Sequence, residues 1–351
     1  MDKQAVLLAP RHIEIAQHEL PTLAPWEAGL RVSSAGVCGT DLAIYSGDYR
    51  VPLPLVLGHE FSGVVIAVGS AISPDLVGKR CTAEINNSCI SRHLPDPCEA
   101  CRRGMPGHCQ TRTVAGIVNW SGAFAEQIIV PADNLHLLPD AISNDVAVFI
   151  EPVAAALQTF EMAPLNENRM SGNPIDQSPL VVVLGVGRLG ILVAAVAKAL
   201  GARVVGVSRT DLSLDRARPY CDAVMSANRP DKVVTYVREQ SNGLGADYVV
   251  EATASPLGIH FAAQLVRPRG VIALKSTPGL PVDRLNLTAL VVNEVHLQGS
   301  RCGPFDKAIE FIQQRHIDLN SLISATFPLE ETAHALDAAR EATKVIIRCD
   351  A

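Results

Sequence analysis

The chain has 351 residues, of which 48% are hydrophobic and 19% charged, a composition typical of a globular protein and not of a disordered one. The formal net charge at pH 7 is -6 and we find no basic cluster, so we expect no nucleic acid among its partners. No apolar run is long enough for a membrane span, and the first residues lack the apolar core of a secretory signal. We therefore expect a cytoplasmic protein of two domains with no membrane partner.

The first 150 residues contain frequent glycine and proline between short, β-branched apolar runs, for example at 29–33, 61–68 and 124–130. Runs of this kind predict a β-rich domain with long loops.

From about residue 179 the sequence predicts strands that alternate with helices. We predict strands at 180–184, 203–207, 246–250 and 270–274, with helices at 189–200 and 256–266. This alternation indicates a parallel sheet with crossover helices. The segment 167–179, rich in Asn, Ser and Pro, is predicted to be an exposed loop. Near the end we predict helices at 305–314 and 329–342 and a strand at 344–348.

A glycine-rich turn follows the first strand of this parallel sheet. Residues Gly185, Gly187 and Gly190 form a G-x-G-x-x-G pattern that contains Arg188 and Leu189. The glycines permit a tight turn and close approach of a pyrophosphate, which the following helix attracts with its N-terminus. We expect these five residues to bind a dinucleotide.

The end of the second strand bears on the choice between NAD and NADP. An NAD site usually has an acidic residue at this place, whereas the chain has Ser208 and Arg209. A guanidinium binds the 2′-phosphate of NADP through paired hydrogen bonds. We expect NADP(H), with the alternative that Asp211 binds the ribose of NAD and Arg209 is a solvated surface residue.

Four of the nine cysteines fall in one short stretch of an expected intracellular chain, which favours metal ligands over disulfides. Cys98, Cys101 and Cys109 have a spacing suited to tetrahedral zinc, and Cys89 offers a fourth sulfur. Four thiolates leave no open position, so we predict a structural zinc site. The eight residues between Cys89 and Cys98 make an unusually long gap, and His93 within it is a rival fourth ligand.

A second set of residues is dispersed along the chain: the segment Gly36 to Asp41, the run Gly58-His59-Glu60, and the pair Glu151-Pro152. Together with the cysteine lobe, the segment Gly122 to Glu126 and the glycine turn, they resemble the medium-chain dehydrogenase/reductase family, in its zinc-dependent alcohol, polyol and threonine dehydrogenase branch. The resemblance extends over nearly the whole chain.

The resemblance implies an α/β chain in which a GroES-like, β-rich catalytic domain is interrupted by a Rossmann domain with a doubly wound parallel sheet. We expect the catalytic domain at 1–153, with a structural zinc lobe at 84–112. The Rossmann domain is expected at 154–299, and the chain then returns to the catalytic domain at 300–351. Relatives are commonly dimers or tetramers, so we expect a homodimer or homotetramer, with a predicted apolar strand near 290–297 as an interface.

By the same resemblance, Cys38 and His59 are ligands of a catalytic zinc, Glu151 takes the third position, and Glu60 is a neighbouring carboxylate that can coordinate or withdraw. Asp41 is expected to accept a hydrogen bond from His59. The Thr40 hydroxyl is expected to take the proton of an alcohol whose carbon gives hydride to the nicotinamide. Many relatives have a relay histidine three residues after this threonine, where the chain has Ala43.

We therefore expect a zinc- and NADP(H)-dependent dehydrogenase of a small secondary alcohol, polyol or sugar alcohol, or of the matching carbonyl compound. One alternative is a threonine-type or biosynthetic dehydrogenase that uses NAD(H). A non-catalytic nucleotide-binding protein would be expected to lack at least one zinc ligand, and none is missing. A zinc-free enone or quinone reductase would lack both ligand sets.

Overall fold

The computed structural model describes residues 2–165, 178–276, 281–314 and 316–350. The chain divides into two compact units. One unit comprises Met1–Glu151, Ile309–Gln313 and Asp318–Ala351, and the other comprises Pro152–Ala308 and Gln314–Ile317. Among the described residues, none of the helices has the length and apolar character needed to cross a bilayer.

The first part of the chain is built from short strands and helices. Its strands are β1 (Asp2–Ala9), β2 (His12–His18), β3 (Glu27–Gly36), β4 (Leu55–Val56), β5 (Glu60–Val68), β6 (Arg80–Ala83), β7 (Asn86–Asn87), β8 (Thr113–Val114), β9 (Gln127–Pro131) and β10 (Leu135–Leu137). Its helices are α1 (Gly39–Ser46), α2 (Glu99–Arg102) and α3 (Asn144–Ala147). These many short strands agree with the β-rich domain predicted for the first 150 residues.

Helices and strands then alternate. The helices are α4 (Ile150–Glu161), α5 (Arg188–Ala199), α6 (Asp211–Ala217), α7 (Pro230–Gln240), α8 (Gly258–Leu265), α9 (Leu287–Val292) and α10 (Phe305–Gln313). The strands are β11 (Leu180–Leu184), β12 (Arg203–Ser208), β13 (Ala223–Ser226), β14 (Ala246–Glu251), β15 (Val266–Leu274) and β16 (His296–Gly299). The last elements are β17 (Ile323–Pro328), α11 (Thr332–Ala338) and β18 (Lys344–Arg348).

Six of these strands form one parallel sheet in the order β13-β12-β11-β14-β15-β16. The order reverses between β11 and β14, which is the doubly wound arrangement expected from the alternation of strands and helices. Every residue of β11 is buried, as is typical of a central parallel strand covered on both faces. The predicted parallel sheet is therefore confirmed.

The large sheet of the other unit has the order β10-β6-β5-β3-β18-β17, with β9 also paired to β3. Strands β3 and β5 are antiparallel, and Gly36 at the end of β3 is the register partner of Glu60 at the start of β5. The residues just after β3 and just before β5 consequently lie at the same edge of the sheet.

Some predicted elements differ from the structure, among them the helix predicted at 329–342, whose α-helical part is Thr332–Ala338. The predicted strand near 290–297 is divided between helix α9 and strand β16, because the Asn286 side chain accepts a hydrogen bond from the Ala289 amide at 3.3 Å and caps a helix there. Strand β15 begins at Val266, earlier than the predicted residue 270. Of the predicted loop 167–179, only Ser178 and Pro179 lie among the described residues, and neither has regular secondary structure.

Candidate functional site

Three polar side chains meet at the edge where β3 ends and β5 begins. Cys38, His59 and Glu60 each offer a ligand atom, and these atoms lie within 4.8 Å of one another. His59 and Glu60 are buried, and Cys38 is half-buried. A thiol, an imidazole and a carboxylate at this spacing can hold a zinc ion. The antiparallel register of β3 and β5 is what brings together residues that are 21 positions apart in the sequence.

Asp41 ties this group to helix α1 and to the turn before His59. Its Oδ2 accepts a hydrogen bond from the Cys38 amide at 2.9 Å, and its Oδ1 accepts one from the Gly58 amide at 3.2 Å. The same Oδ1 lies 3.3 Å from His59 Nδ1, although the two atoms are not aligned as a hydrogen bond. Asp41 is fully buried and lies on the side of His59 where a carboxylate partner of a metal-bound histidine would be.

The electrostatics of His59 fit a cation at this place. Burial acts to lower the pKa of His59, but the carboxylate of Asp41 and the thiol of Cys38 outweigh it and hold that pKa well above 6.5. In the absence of a metal the surroundings thus favour a positive charge on the imidazole. A divalent cation can replace that proton, since metal binding requires the neutral ring.

Glu60 has a partner that the sequence did not indicate. Lys344 at the start of β18 donates a hydrogen bond from its Nζ to Glu60 Oε2, and both side chains are almost completely buried. The Lys344 ammonium also lies 5.2 Å from the centre of the Phe149 ring, a cation–π distance. The two residues are 284 positions apart, so only the sheet pairing of β18 brings them together.

Glycines make the turn before His59 possible. Gly58 has φ +94, and a Cβ on it would lie 2.5 Å from the Phe124 ring. A Cβ on Gly116 or Gly122 would come equally close to the Gly58 backbone. The Ala123 amide donates to the Gly58 carbonyl at 2.9 Å. The segment that starts at Gly122 therefore packs directly against the turn that carries His59.

The other residues expected at this site occupy defined positions. Thr40 is half-buried and is the second residue of α1, and Ala43 lies one turn further along the same helix. Glu151 is half-buried at the second position of α4. It is not a member of the group formed by Cys38, His59 and Glu60.

The four cysteines of the lobe also converge. The sulfurs of Cys89, Cys98, Cys101 and Cys109 lie within 4.8 Å of one another. The sulfurs of Cys98 and Cys109 are 3.8 Å apart, which is the separation of about 3.8 Å that two thiolates have on tetrahedral zinc with Zn–S bonds of about 2.3 Å. The donor set and its spacing fit a structural zinc ion.

Backbone amides surround these sulfurs as they would surround thiolates. The Cys89 amide donates to Cys109 Sγ at 3.2 Å, and the Cys98 amide donates to Cys89 Sγ at 3.3 Å. Burial acts to raise the pKa of Cys109, but the Thr111 hydroxyl and the Cys89 amide lower it to about 6. Burial, and then the neighbouring thiols, raise the pKa of Cys101 to about 12. All four sulfurs can therefore be ionised together only with a cation among them.

The long gap between Cys89 and Cys98 does not prevent this convergence. Its residues form a turn in which His93 has φ +50. The His93 ring stacks on Trp26 with the ring centres 5.8 Å apart, and its Nε2 lies 3.1 Å from Asp133 Oδ2. The structure thus places His93 against Trp26 and Asp133, outside the group of four sulfurs.

The glycine turn lies between β11 and α5, as predicted. Gly185 has φ +89, and a Cβ on Gly190 would lie 1.9 Å from the Gly185 carbonyl oxygen, so both positions require glycine. Gly187 is the N-cap of α5, and a Cβ on it would project into open space. Arg188 and Leu189 are the first two residues of the helix. The open approach to an uncapped helix N-terminus fits a bound pyrophosphate.

The predicted 2′-phosphate residues lie at the end of β12, where Ser208 is the last residue of the strand and Arg209 is exposed. The Asn228 side chain donates to the Arg209 carbonyl at 3.1 Å. Beside this contact is a cavity of about 540 Å³, whose lining includes Asn228, Asp211, Arg229 and Lys232. The cavity therefore has two basic side chains and one acidic side chain in its wall.

A doubly wound sheet with a glycine turn, together with a thiol–imidazole–carboxylate group in a second unit, defines a metal-using, dinucleotide-dependent oxidoreductase. Comparison with known proteins agrees. The family model of an alcohol dehydrogenase GroES-like domain matches residues 24–140, and that of a zinc-binding dehydrogenase matches residues 189–314. The chain belongs to the medium-chain dehydrogenase/reductase family, in its zinc-dependent alcohol and polyol dehydrogenase branch.

Two relatives and one solved structure illustrate the match. A sorbitol dehydrogenase of Bacillus subtilis is 27% identical, covering 98% of this chain and 96% of the relative. A 2-dehydro-3-deoxy-L-galactonate 5-dehydrogenase of Pseudoalteromonas atlantica is 32% identical, covering 93% and 92%. An alcohol dehydrogenase of E. coli CFT073, solved with NADH, is 26% identical, with a TM-score of 0.87 and coverage of 99% of both chains. The expected family, the GroES-like and Rossmann architecture and the alcohol dehydrogenase class are confirmed.

Proposed function

We propose that the chain transfers a hydride between NADP(H) and a small secondary alcohol, polyol or sugar alcohol, or the matching carbonyl compound. The observation that carries this proposal is the convergence of Cys38, His59 and Glu60 at one sheet edge. Three donors from different chemical classes can hold zinc while leaving a position for a substrate oxygen. The names of the relatives, a sorbitol dehydrogenase and a 2-dehydro-3-deoxy-L-galactonate 5-dehydrogenase, support a polyhydroxylated substrate.

When bound, zinc would act as a Lewis acid on the substrate oxygen, and the nicotinamide would exchange the hydride. The protein would hold zinc through Cys38 and His59. Glu60 offers a carboxylate oxygen within 4.8 Å of both of these ligand atoms, and Glu151 remains the third ligand that the family resemblance proposes.

The remaining residues would prepare the site for proton transfer. Asp41 would hold the imidazole of His59, and its contacts with the Cys38 and Gly58 amides would keep both ligands in register. The Thr40 hydroxyl, one residue inside α1, would accept the proton of the alcohol in oxidation and return it in reduction. Because Ala43 cannot carry this proton onward, the outer route would run through ribose hydroxyls or water.

We further propose that Cys89, Cys98, Cys101 and Cys109 hold a structural zinc ion. The loop they enclose has little apolar core, since the buried side chains of that cluster are the cysteines themselves. A closed, four-sulfur site would therefore supply the stability that packing does not.

The preference for NADP(H) is supported by Ser208 and Arg209 at the end of β12 and by the nearby Arg229 and Lys232. Each of these basic side chains would attract the 2′-phosphate. Asp211 lies in the wall of the same cavity. A carboxylate at this end of the site binds ribose hydroxyls and repels a phosphate. Asp211 therefore favours the second candidate, an NAD(H)-dependent enzyme of the threonine dehydrogenase type.

We also propose that the protein assembles as a homodimer or homotetramer. Helix α9 and the edge strand β16 expose several large apolar side chains, with Leu287 at 61%, Val291 at 75%, Val292 at 74% and Leu297 at 45% exposure. Among the described strands β16 is the last of the parallel sheet, so within that part of the chain it has a free edge beside an apolar surface. A second copy related by two-fold symmetry would cover both.

A substrate panel tests the proposed function. Zinc-loaded protein is assayed with sugar alcohols, diols, sugars, simple secondary alcohols and hydroxy amino acids, each with NAD and with NADP. We expect turnover with a polyol or secondary alcohol and NADP. Cys38→Ala and His59→Ala should abolish that turnover and leave cofactor binding intact, while Thr40→Val should keep its zinc and lose about 10²- to 10⁴-fold in kcat. Full turnover by the Cys38→Ala variant would refute the proposed zinc site.

A further inference from the structure

A second group of buried polar side chains lies at the carboxyl ends of strands β14, β15 and β16. Glu251 is the last residue of β14, Lys275 and Ser276 follow β15 directly, and Ser300 follows β16. Glu251 is 4% exposed and Lys275 is 9% exposed. Two opposite charges are therefore buried at one edge of the parallel sheet, and none of the roles proposed above uses them.

Both carboxylate oxygens of Glu251 accept hydrogen bonds from neighbouring residues. Its Oε1 accepts hydrogen bonds from the Thr253 amide at 2.8 Å and from the Thr253 hydroxyl. Its Oε2 accepts one from the Ser276 hydroxyl at 2.5 Å. All three of these donors point at the carboxylate oxygens, which act as acceptors. The first residue of α8, Gly258, packs so closely on it that a Cβ would lie 2.2 Å from Oε1.

Lys275 faces the neighbouring strand end. Its Nζ donates to the Ser300 hydroxyl at 2.9 Å and to the Arg301 carbonyl at 2.7 Å. Its amide donates to the Glu251 carbonyl at 2.9 Å, so the two residues are also joined through the backbone. Burying an ammonium costs free energy, which these hydrogen bonds partly offset. Lys275 thus places a positive charge at this strand end.

This edge corresponds to the nicotinamide half of a dinucleotide site. A doubly wound sheet binds its ligand outside the carboxyl ends of the strands, across the point where strand order reverses. Strands β12 and β13 lie on one side of that point and would hold the adenosine half, which leaves β14 to β16 for the other half. A Cβ on Gly185 in the glycine turn would lie 2.6 Å from the Ala252 carbonyl oxygen, so the residue after Glu251 adjoins the proposed pyrophosphate turn.

We propose that the buried charges of Lys275 and Glu251 set the relative affinity of this site for the two redox forms of the cofactor. Lys275 favours the reduced form and Glu251 the oxidised form. The reason is that the oxidised nicotinamide ring is a cation and the reduced ring is neutral, so a fixed charge nearby acts on only one of the two forms. The inference rests on the proposed dinucleotide site, and it holds for either NAD or NADP.

The test measures dissociation constants and not turnover. For the zinc-loaded full chain without substrate, reduced and oxidised cofactor are titrated separately, the reduced form by its fluorescence and the oxidised form by calorimetry. The quantity compared is the ratio of the dissociation constant of the oxidised form to that of the reduced form. We expect Lys275→Met to lower this ratio by about threefold to tenfold, and Glu251→Gln to raise it by a similar factor.

Two variants serve as controls. Lys275→Arg keeps the charge and should leave the ratio within about twofold of the wild-type ratio. Arg209→Ala lies at the other end of the site, so it should change the affinities for both redox forms alike. A purely structural role for Lys275 would weaken both forms equally, and an unchanged ratio in Lys275→Met would overturn the proposal.

The remaining outcomes are also decisive. If Lys275→Met does not fold, as judged by thermal unfolding without cofactor, Glu251→Gln tests the same claim from the opposite charge, and a ratio that stays constant or falls contradicts it. If the wild-type protein binds neither redox form of either cofactor, the proposed function itself fails. If the variants bind cofactor but their ratio of dissociation constants equals that of the wild type, only the role of the two charges fails.

Discussion

Lys344 Nζ donates a hydrogen bond to Glu60 Oε2, with only 5% and 2% of the two side chains exposed. The pair joins strand β18 to the first residue of β5, next to His59. A buried ion pair of this kind is costly to break from one side, because the remaining charge is left without compensation. Lys344 therefore supplies the buried positive charge beside Glu60.

The first prediction concerns the loss of this cation. Lys344→Met should lower the free energy of unfolding of zinc-depleted protein by about 3–5 kcal/mol, the usual cost of removing one partner of a buried pair. In zinc-loaded protein the loss should be smaller, since the metal would then supply positive charge beside Glu60. Urea unfolding of both forms measures the difference. Lys344→Arg is the matched control. An equal loss of unfolding free energy with and without zinc would show that the metal does not compensate the charge of Glu60.

The second prediction concerns the four-cysteine lobe. Wild-type protein should contain about two zinc ions per chain, and Cys98→Ala should contain about one and unfold at a lower temperature, because the lobe depends on its metal for stability. Cys81 is a buried thiol outside both ligand groups, so Cys81→Ala should retain both ions. Metal analysis and thermal unfolding report the result. A Cys98→Ala protein with two zinc ions and wild-type stability would exclude a structural zinc site.

The third prediction concerns the 2′-phosphate. Arg209→Ala should weaken NADP binding by about 10- to 100-fold, the effect of losing charge-assisted hydrogen bonds worth about 1.5–3 kcal/mol. NAD binding should hardly change. Asp211→Ala is the contrasting variant, and it should improve NADP binding by removing a repulsive carboxylate. Calorimetric titration with both cofactors decides the matter, and a wild-type protein that prefers NAD irrespective of Arg209 refutes the NADP assignment.

The fourth prediction concerns the exposed apolar surface of α9. Val291→Glu should shift the protein to a smaller species, because a charge at the centre of an apolar interface is strongly unfavourable. Sedimentation at several protein concentrations measures the assembly. Val77 is exposed at 47% on the other unit, so Val77→Glu should leave the assembly unchanged. If the wild-type protein is a monomer at micromolar concentration, the proposed interface is wrong.

Sequence patterns predicted most of the parallel sheet because its strands are buried runs with a clear hydrophobic signal. Strand β11 and helix α5 match their predicted ranges to within a residue. Strands β2 and β17 were not predicted, because neither contains a buried residue and so neither carries a buried apolar run. The run around Leu290 was wrongly predicted as a strand because valine favours strands, whereas the Asn286 cap selects a helix.

The candidate site was predictable only where its residues are close in sequence. The spacing of Cys98, Cys101 and Cys109 predicted a metal lobe, and their sulfurs do meet. No local rule indicates that Cys38 meets His59, and that expectation came from the family resemblance. The contact between Lys344 and Glu60 was not predicted. Nothing in a strand of sequence KVIIR shows that its lysine is turned inward onto Glu60.

The position of β18 bears on the order in which the molecule assembles. This strand is inserted between β3 and β17, and the Val345 carbonyl accepts a hydrogen bond from the Val37 amide, one residue before Cys38. The parallel sheet has all six of its strands by Gly299, so it can close while the ribosome is still adding residues. The group formed by Cys38, His59 and Glu60, in contrast, gains its supporting strand and its lysine only when β18 follows. We therefore expect that the parallel sheet can form before the proposed zinc site is complete.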